Sequence, residues 1–349
     1  MPEPSVWLPA AHSSAARRHA LIYFICGNPG LIEFYRDFLT YLRGLLDGGD
    51  HSGSTTAYDI FGKNLPGFQD EDHEPFSPTN PPFHLDVVIE KTYDDVISRR
   101  RDGGEEYDEV VLLGHSLGTF ISVEIFQRHS VQGKSRAAKL SLSHGLLLFP
   151  TVTHLALSPS GKRFTFVMST IPLLERYGHI WARLLLRLVP AKVLTFYMTR
   201  ALGFTPRAAG TTAGWLKSRD GVWQTLSLAR DELVMIAGED RWGEEIWEAP
   251  QQQEEDGEQQ QQQQQQQRRR FFMFYAKKDH WIADHVRDEF VERMRRRGEE
   301  GEGRKGRVPR TEIDEGGIRH DFCTKDDSSL EVAQRVSGWI GEIDQARRS

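Results

Sequence analysis

One serine stands between glycines in a setting that favours nucleophilic chemistry. Residues 114–118 read Gly-His-Ser-Leu-Gly and follow directly on the apolar run 110–113. A β-type run that leads through G-x-S-x-G into a helix-compatible stretch predicts a sharp turn that exposes the Ser116 hydroxyl. Gly114 and Gly118 leave room for such an elbow, and the free amides at the start of the helix favour negative charge beside the nucleophile. The alternative for Ser116 is a structural turn without chemistry.

A serine nucleophile needs a general base and an acid that orients the base, and the chain offers both in the order Ser, acid, His. Asp279 follows the apolar run 271–276, which would place its carboxylate at the ligand-binding edge of a parallel sheet. His320, the last histidine, lies on a loop before the final predicted helix. We therefore predict Ser116, Asp279 and His320 as catalytic residues, with Asp284 as a second candidate for the acid.

Other histidines fit the role of base less well. His280 and His285 share the loop and helix of the predicted acid, so their imidazoles can hardly receive its carboxylate. His115 lies within the elbow, where we expect a packed or hydrogen-bonded turn residue.

Two backbone amides are expected to stabilise the oxyanion. Leu117, directly after the nucleophile, supplies one of them. The second should come from the turn Gly-Asn-Pro-Gly at 27–30, which follows the apolar run 21–26; Pro29 has no N–H, so Asn28 is the predicted donor. The sequence contains neither a Cys/His cluster with zinc spacing nor a G-x-x-x-x-G-K-[ST] loop, so we expect no metal and no cofactor.

Apolar runs alternate with amphipathic stretches along most of the chain, which predicts an α/β fold with a doubly wound, mostly parallel sheet. The predicted strands lie at 21–26, 57–62, 109–113, 146–149, 271–276 and, weakly, 317–319. The predicted helices lie at 31–46, 85–97, 119–129, 284–294 and 330–343. We assign residues 1–150 and 271–349 to one core and residues 151–250 to a helical cap insertion. The glutamine-rich segment 251–270 and the Gly/Glu/Arg segment 295–310 are too polar to bury a core and are predicted as disordered loops.

The predicted cap contains most of the uncompensated positive charge. Residues 151–228 carry ten Lys or Arg and two acidic residues, whereas the whole chain has a net charge of −6. Two broad apolar helices, near 173–188 and 193–202, are typical of an element that lies in a lipid surface without crossing it. The residues expected to contact lipid are Trp181, Arg183, Leu184, Arg187 and Phe196. The alternative is a cap whose apolar face covers the core and whose arginines are merely solvated.

Overall composition restricts the partners and the compartment. The negative net charge argues against nucleic acid as the main partner. Two cysteines in 349 residues form no disulfide framework, so a reducing compartment is expected. We expect no secretory signal peptide and no membrane-spanning helix, because neither pattern is visible in the sequence.

Several segments together resemble the lipid droplet-associated hydrolase family. They are residues 24–35, 114–118, 149–151 and 278–281. The first, Phe-Ile-Cys-Gly-Asn-Pro-Gly-Leu-Ile-Glu-Phe-Tyr, is the most specific, and the resemblance covers nearly the whole chain outside the polar inserts. It implies an α/β-hydrolase fold in which Ser116, Asp279 and His320 occupy the positions of nucleophile, acid and base.

The resemblance also implies a location and an activity. The expected location is the lipid droplet surface and the endoplasmic reticulum, on the cytosolic face. The expected activity is that of a carboxylic ester hydrolase of serine esterase or lipase type that cleaves neutral lipid esters such as sterol esters or triacylglycerol. Its partners would be that lipid and the droplet monolayer or a membrane surface. Two alternatives remain, a droplet-surface adaptor on a hydrolase scaffold with little turnover and an acyltransferase that uses the same triad.

Overall fold

The apolar runs of the chain lie side by side in one sheet. The computed structural model describes residues 4–11, 16–48, 55–170, 180, 184–186, 188–238, 241–249, 270–299 and 307–348. Its strands are β1 Ser5–Leu8, β2 Arg18–Ile25, β3 Thr56–Lys63, β4 Glu109–His115, β5 Leu142–Leu148, β6 Phe271–Tyr275 and β7 Arg310–Ile313. Their order in the sheet is β1-β3-β2-β4-β5-β6-β7. Strand β1 pairs antiparallel with β3, and all other neighbours are parallel.

Helices connect and flank these strands. In the described part of the chain they are α1 Arg36–Asp47, α2 Leu85–Ser98, α3 Leu117–Arg136, α4 Pro159–Thr170, α5 Ala191–Ala201, α6 Pro206–Lys217, α7 Gly221–Met235, α8 Asp284–Glu299 and α9 Asp326–Arg348. Helix α1 packs against α9, and α2 packs against α3. Helices α4 to α7 all fall between β5 and β6, in the insertion that the sequence assigned to a cap.

Burial explains the apolar composition of the central strands. Every residue of β4 is buried, as are the last six residues of β2. Continuous apolar runs of this kind are typical of parallel strands that are covered on both faces. The predicted α/β-hydrolase fold, a doubly wound and mostly parallel sheet with a helical insertion, is confirmed. Among the described residues, none of the helices combines the length and the apolar character needed to cross a bilayer.

The C-terminal edge of the sheet differs from the sequence prediction. Residues 317–319 form no strand, and β7 lies earlier, at Arg310–Ile313. The Asp314 carboxylate accepts hydrogen bonds from the amides of Gly317 (2.6 Å) and Ile318 (2.7 Å), so these two amides cannot join a sheet. The short antiparallel strand β1 at the opposite edge was not predicted.

Parts of the predicted insertions fall inside and outside the described residues. Helix α8 continues to Glu299, so the first residues of segment 295–310, expected as a disordered loop, are helical. Residues 300–306, and residues 251–269 of the glutamine-rich segment, lie outside the described residues. So does most of the helix expected near 173–188, although residues 184–186 and 188 are helical.

Candidate active site

Ser116 lies in a sharp turn between β4 and α3. Its backbone has φ +52° and ψ −122°, a positive-φ conformation that non-glycine residues rarely adopt and that stores strain of the kind that clusters at functional sites. A Cβ atom on Gly118 would stand 2.1 Å from the carbonyl oxygen of Ile25, and one on Gly114 would stand 2.4 Å from the carbonyl oxygen of Gly118. Both glycines are therefore required by the close approach of neighbouring backbone.

The three predicted catalytic side chains form one chain of hydrogen bonds. His320 Nε2 lies 2.8 Å from Ser116 Oγ, and His320 Nδ1 lies 2.7 Å from Asp279 Oδ2. An ionised carboxylate only accepts, so Nδ1 carries the proton and Nε2 is free to accept the serine hydroxyl proton. Asp279 follows β6, and its side chain is 2% exposed. Its second oxygen accepts the Trp281 amide at 2.7 Å, which fixes the carboxylate plane.

The alternative acid and bases lie elsewhere. Asp284 is exposed at the start of α8, where its carboxylate lies 3.5 Å from the Arg287 guanidinium. His280 and His285 are exposed as well. The geometry therefore favours Asp279 over Asp284 as the partner of His320.

The turn at 27–30 lies directly against the nucleophile. A Cβ atom on Gly27 would stand 3.1 Å from Ser116 Cβ, which brings the next residue, Asn28, to the edge of the elbow. Among the described residues, the backbone amides of Asn28 and Leu117 have no protein acceptor. Two unused amides beside a nucleophile are what an oxyanion site requires.

His115, expected to be a packed or hydrogen-bonded turn residue, is buried and joins the elbow to the loop that carries His320. Its Nε2 lies 2.9 Å from the carbonyl oxygen of His320, and its Nδ1 lies 2.8 Å from the Tyr35 hydroxyl. The Tyr35 oxygen also accepts the Gly27 amide at 3.1 Å. Burial, followed by the nearby His320, lowers the pKa of His115 well below its ordinary value, so this imidazole is neutral.

Glu232 of α7 is a residue that the sequence analysis missed. Its Oε1 accepts a hydrogen bond from Asn28 Nδ2 at 2.9 Å. The pKa of Glu232 is raised to about 7, mainly by burial; the Asn28 hydrogen bond lowers it in part, and the charge of Asp231 makes a smaller raising contribution. The available signal was an acid in a helix whose neighbours Leu228 and Leu233 are apolar.

A cavity opens above Ser116 and His320, and its lining is largely apolar. Asn28 and Glu232 supply polar atoms to the same cavity. The apolar lining comes from Pro29, Phe34, Leu155, Phe164, Leu233 and Trp281. Leu155, Phe164 and Leu233 belong to the insertion between β5 and β6, so the insertion forms part of the wall around the nucleophile.

The inner helices of the insertion are fastened to the core. Arg207 of α6 forms ion pairs with Glu33 (2.6 Å) and Asp37 (2.9 Å). The Thr205 amide donates to the carbonyl oxygen of Thr324 at 2.9 Å, close to the His320 loop. The acidic partners of Arg207 thus offset part of the positive charge of the insertion.

The outer part of the insertion presents apolar side chains to solvent. Phe196 of α5 is 66% exposed, Leu188 is 81% exposed, and α5 has no buried residue. Leu184 is also exposed. The other residues expected to contact lipid lie outside the described residues; they are Trp181, Arg183 and Arg187.

One cluster of titratable groups lies outside this cavity. Ligand atoms of Asp70, His73 and Asp220 lie within 4.8 Å of one another. The Arg219 guanidinium already bonds to Asp220 at 2.7 Å, and the Arg219 amide bonds to Asp70 at 2.6 Å. These carboxylates are therefore engaged in holding the start of α7, and none of the three residues lines the cavity above Ser116.

Sequence comparison relates the chain to named proteins. Residues 18–323 match the family model described as lipid-droplet associated hydrolase. The lipid droplet-associated hydrolase of Gallus gallus is 24% identical over 236 residues, which make up 63% of this chain and 64% of that protein. That of Mus musculus is 27% identical over 193 residues, 52% of each protein. The matched segments thus span less than two thirds of these relatives.

Solved structures of similar architecture are distant in sequence. A lipase-esterase related protein from Clostridium acetobutylicum aligns over 96% of this chain and 99% of its own, with 12% identity and a TM-score of 0.48. Juvenile hormone epoxide hydrolase from the silkworm Bombyx mori aligns over 98% of this chain and 73% of its own, with 11% identity and a TM-score of 0.49.

Proposed function

The chain belongs to the lipid-droplet associated hydrolase family, and from that premise we propose that it cleaves neutral lipid esters by serine catalysis. The observation that carries the proposal is the hydrogen-bonded series Ser116–His320–Asp279 beneath an apolar cavity. The described site supplies each group that acyl transfer through serine requires, which are a nucleophile, a base, an acid that orients the base, and unused amides for the oxyanion.

In the proposed reaction, Ser116 Oγ attacks the ester carbonyl carbon while His320 Nε2 takes the hydroxyl proton. Asp279 holds the imidazole in the required tautomer and stabilises the imidazolium. The amides of Asn28 and Leu117 stabilise the negative oxygen of the tetrahedral intermediate; one such donor typically contributes about 10²–10³ in kcat. The imidazolium then protonates the departing alcohol, which leaves an acyl-enzyme. Water, deprotonated by His320, releases the acid and regenerates Ser116.

The apolar wall of the cavity supports a lipid ester as the substrate. Phe34, Leu155 and Trp281 offer surface to an acyl chain or a sterol, and the described wall places no lysine or arginine beside the ester. Sterol esters and acylglycerols both meet these requirements. We therefore assign the chain to carboxylic ester hydrolases of serine esterase or lipase type.

The exposed apolar residues of the insertion support contact with a lipid surface. Large side chains such as Leu188 and Phe196 gain free energy when a lipid monolayer removes them from water. Our proposal is that this surface rests on the droplet monolayer or on the cytosolic face of the endoplasmic reticulum. Cys26 and Cys323 are unpaired, in keeping with a reducing compartment.

Covalent labelling with a fluorophosphonate probe tests the proposed chemistry. We expect the purified wild-type chain to react at Ser116 and the Ser116→Ala variant to remain unlabelled while folding normally by circular dichroism. Addition of a lipid emulsion should raise the labelling rate if the insertion controls access to the cavity. A folded wild-type chain that stays unlabelled with and without emulsion would overturn the proposed hydrolysis and leave a droplet-surface adaptor as the better account.

A further inference from the structure

The carboxyl group of Glu232 is buried in an unusual setting for an acid. It belongs to α7, is 6% exposed, and lines the cavity that contains Ser116 and His320. Among the described residues, its carboxylate has no Lys or Arg partner. A buried carboxyl without a cation is costly unless hydrogen bonds compensate for the lost water. The compensating group here is the side-chain amide of Asn28.

Asn28 uses both of its side-chain hydrogens on α7. Nδ2 donates to Glu232 Oε1 at 2.9 Å and to the carbonyl oxygen of Thr225 at 3.1 Å. The Thr225 carbonyl can only accept, so the orientation of the amide is fixed. Residues 225 and 232 are about two helical turns apart, which makes Asn28 a clamp on one face of α7.

The backbone amide of the same Asn28 is the predicted oxyanion donor. It follows Gly27, whose Cα lies close enough to the elbow that an added Cβ would stand 3.1 Å from Ser116 Cβ. An oxyanion donor works only at about 2.7–3.1 Å from the developing charge, so a small displacement reduces its effect. The position of this donor therefore depends on two hydrogen bonds to a helix of the insertion.

We propose that Glu232 is a positioning residue that, through Asn28, makes correct seating of helix α7 a condition for oxyanion stabilisation. This inference rests on the proposed serine mechanism. Glu232 acts on the transition state through Asn28 and needs no contact with the reacting atoms. The seated insertion then does more than shape the cavity, because it holds one of the two oxyanion donors in place.

Protonation of Glu232 should change the pH dependence of kcat/KM, which a purely structural role of this residue would leave unchanged. Its pKa is raised to about 7, so below neutral pH the charge-assisted bond to Asn28 becomes a weaker bond to a neutral acid. Asp231, next in the helix, faces away: its Oδ2 accepts the Leu85 amide at 2.9 Å and its Oδ1 lies 3.5 Å from His84 Nε2. The other titratable groups that line the cavity are Tyr35, His115, His320, Asp321 and Cys323.

Three variants test the proposal on a soluble short-chain ester. Glu232→Ala should lower kcat about 10- to 100-fold with little change in KM, since the donor is displaced and not removed. Glu232→Gln keeps a neutral acceptor for Asn28, so it should retain more activity than Glu232→Ala. Because glutamine does not ionise, the acid limb of its kcat/KM profile should lack the contribution of an ionisation near pH 7. The matched control is Asp231→Asn, because Asp231 is a buried carboxylate of the same helix that does not contact Asn28.

The outcomes separate this inference from the proposed function. An active wild-type chain with unchanged kcat in Glu232→Ala, or with the same acid limb in Glu232→Gln, overturns the positioning role alone. Equal losses of kcat in Asp231→Asn and Glu232→Ala also overturn it, because general loosening of α7 would then be sufficient. A wild-type chain that neither turns over the ester nor labels overturns the serine mechanism and this role with it. If Glu232→Ala fails to fold, the profile of Glu232→Gln decides.

Discussion

His115 Nε2 lies 2.9 Å from the carbonyl oxygen of His320, so one residue of the elbow holds the backbone of the histidine that contacts Ser116 Oγ. A carbonyl oxygen only accepts, which places the His115 proton on Nε2 and leaves Nδ1 to accept from the Tyr35 hydroxyl. Tyr35 in turn accepts the Gly27 amide. The nucleophile turn, the oxyanion turn and the His320 loop are thereby joined by a neutral relay with no net charge to compete with the imidazolium.

Removal of the Tyr35 hydroxyl should weaken this relay. Tyr35→Phe leaves the Gly27 amide and His115 Nδ1 without partners in a buried site, so we expect a loss of about 1–3 kcal/mol in the free energy of unfolding. Fluorophosphonate labelling should also slow, because Gly27 precedes the oxyanion donor. Urea unfolding and labelling rates measure the two effects.

Tyr275→Phe is the matched control for that change. Tyr275 is buried as well, but among the described residues its hydroxyl has only the Met273 sulfur, at 3.8 Å, as a hydrogen-bond partner. We expect close to wild-type labelling for this variant. Equal slowing in both variants would show that loss of any buried hydroxyl disturbs the site, contrary to the relay.

The two candidate acids should differ sharply in their effect on turnover. Asp279→Asn presents an amide to His320 Nδ1 and favours the wrong tautomer, so kcat should fall by about 10⁴-fold. Asp284→Asn changes an exposed carboxylate that pairs with Arg287, and kcat should stay near the wild-type value. Steady-state kinetics on a soluble ester measure both, and a larger loss in Asp284→Asn would reverse the assignment of the acid.

The turn around Ser116 has no space for a methyl group at Gly118. Gly118→Ala would set a Cβ 2.1 Å from the Ile25 carbonyl oxygen, and because this neighbour is backbone we expect severe destabilisation or failure to fold. Gly44→Ala is the control: its site in α1 is exposed with nothing within 4 Å of the added Cβ, so it should stabilise the chain by about 0.5–1 kcal/mol. Chemical denaturation measures both, and a normally stable Gly118→Ala would contradict the close packing of elbow against β2.

Adsorption to lipid should depend on the exposed apolar residues of the insertion. The double variant Leu188→Ser/Phe196→Ser should bind a triacylglycerol emulsion at least about tenfold more weakly in flotation assays, since burial of each large apolar side chain contributes about 1.5–3 kcal/mol. Its labelling without lipid should match the wild type.

Val131→Ser serves as the control for adsorption. Val131 is 72% exposed on α3, outside the insertion, so its loss should leave emulsion binding unchanged. Undiminished binding of the double variant, or an equal loss in Val131→Ser, would remove the insertion from the proposed lipid contact.

The sequence singled out Ser116, Asp279 and His320, which the structure joins by hydrogen bonds, because each depends on local pattern and chain order. Ser116 lies in a contiguous motif after a buried strand, and Asp279 follows the apolar run 271–276. His320 was found by elimination among loop histidines near the end of the chain. None of these assignments required knowledge of how distant segments pack.

Several of the features that the sequence missed arise from contacts between distant segments. Glu232 reaches Asn28 across 204 positions of the chain, and no local pattern encodes such a pair. Strand β7 was missed because its sequence, Arg-Thr-Glu-Ile, contains no apolar run. The strand was predicted at 317–319 instead, but the amides of Gly317 and Ile318 donate to the Asp314 carboxylate and so cannot pair in a sheet. The sequence indicated a packed or hydrogen-bonded role for His115, but its partners, Tyr35 and the His320 carbonyl, depend on how distant segments pack.

The unequal attachment of the insertion has a mechanical consequence. Contacts of Arg207, Thr205 and Glu232 hold helices α6 and α7 to the core. Helix α5 has no buried residue and contacts the rest of the described chain mainly through α6. Gly203, at φ +69° with open space around it, marks the boundary between these two layers. In the proposed function, lipid contact belongs to the outer layer of the insertion and the proposed chemistry to the inner layer, so a change confined to the outer layer should leave the geometry around Ser116 intact.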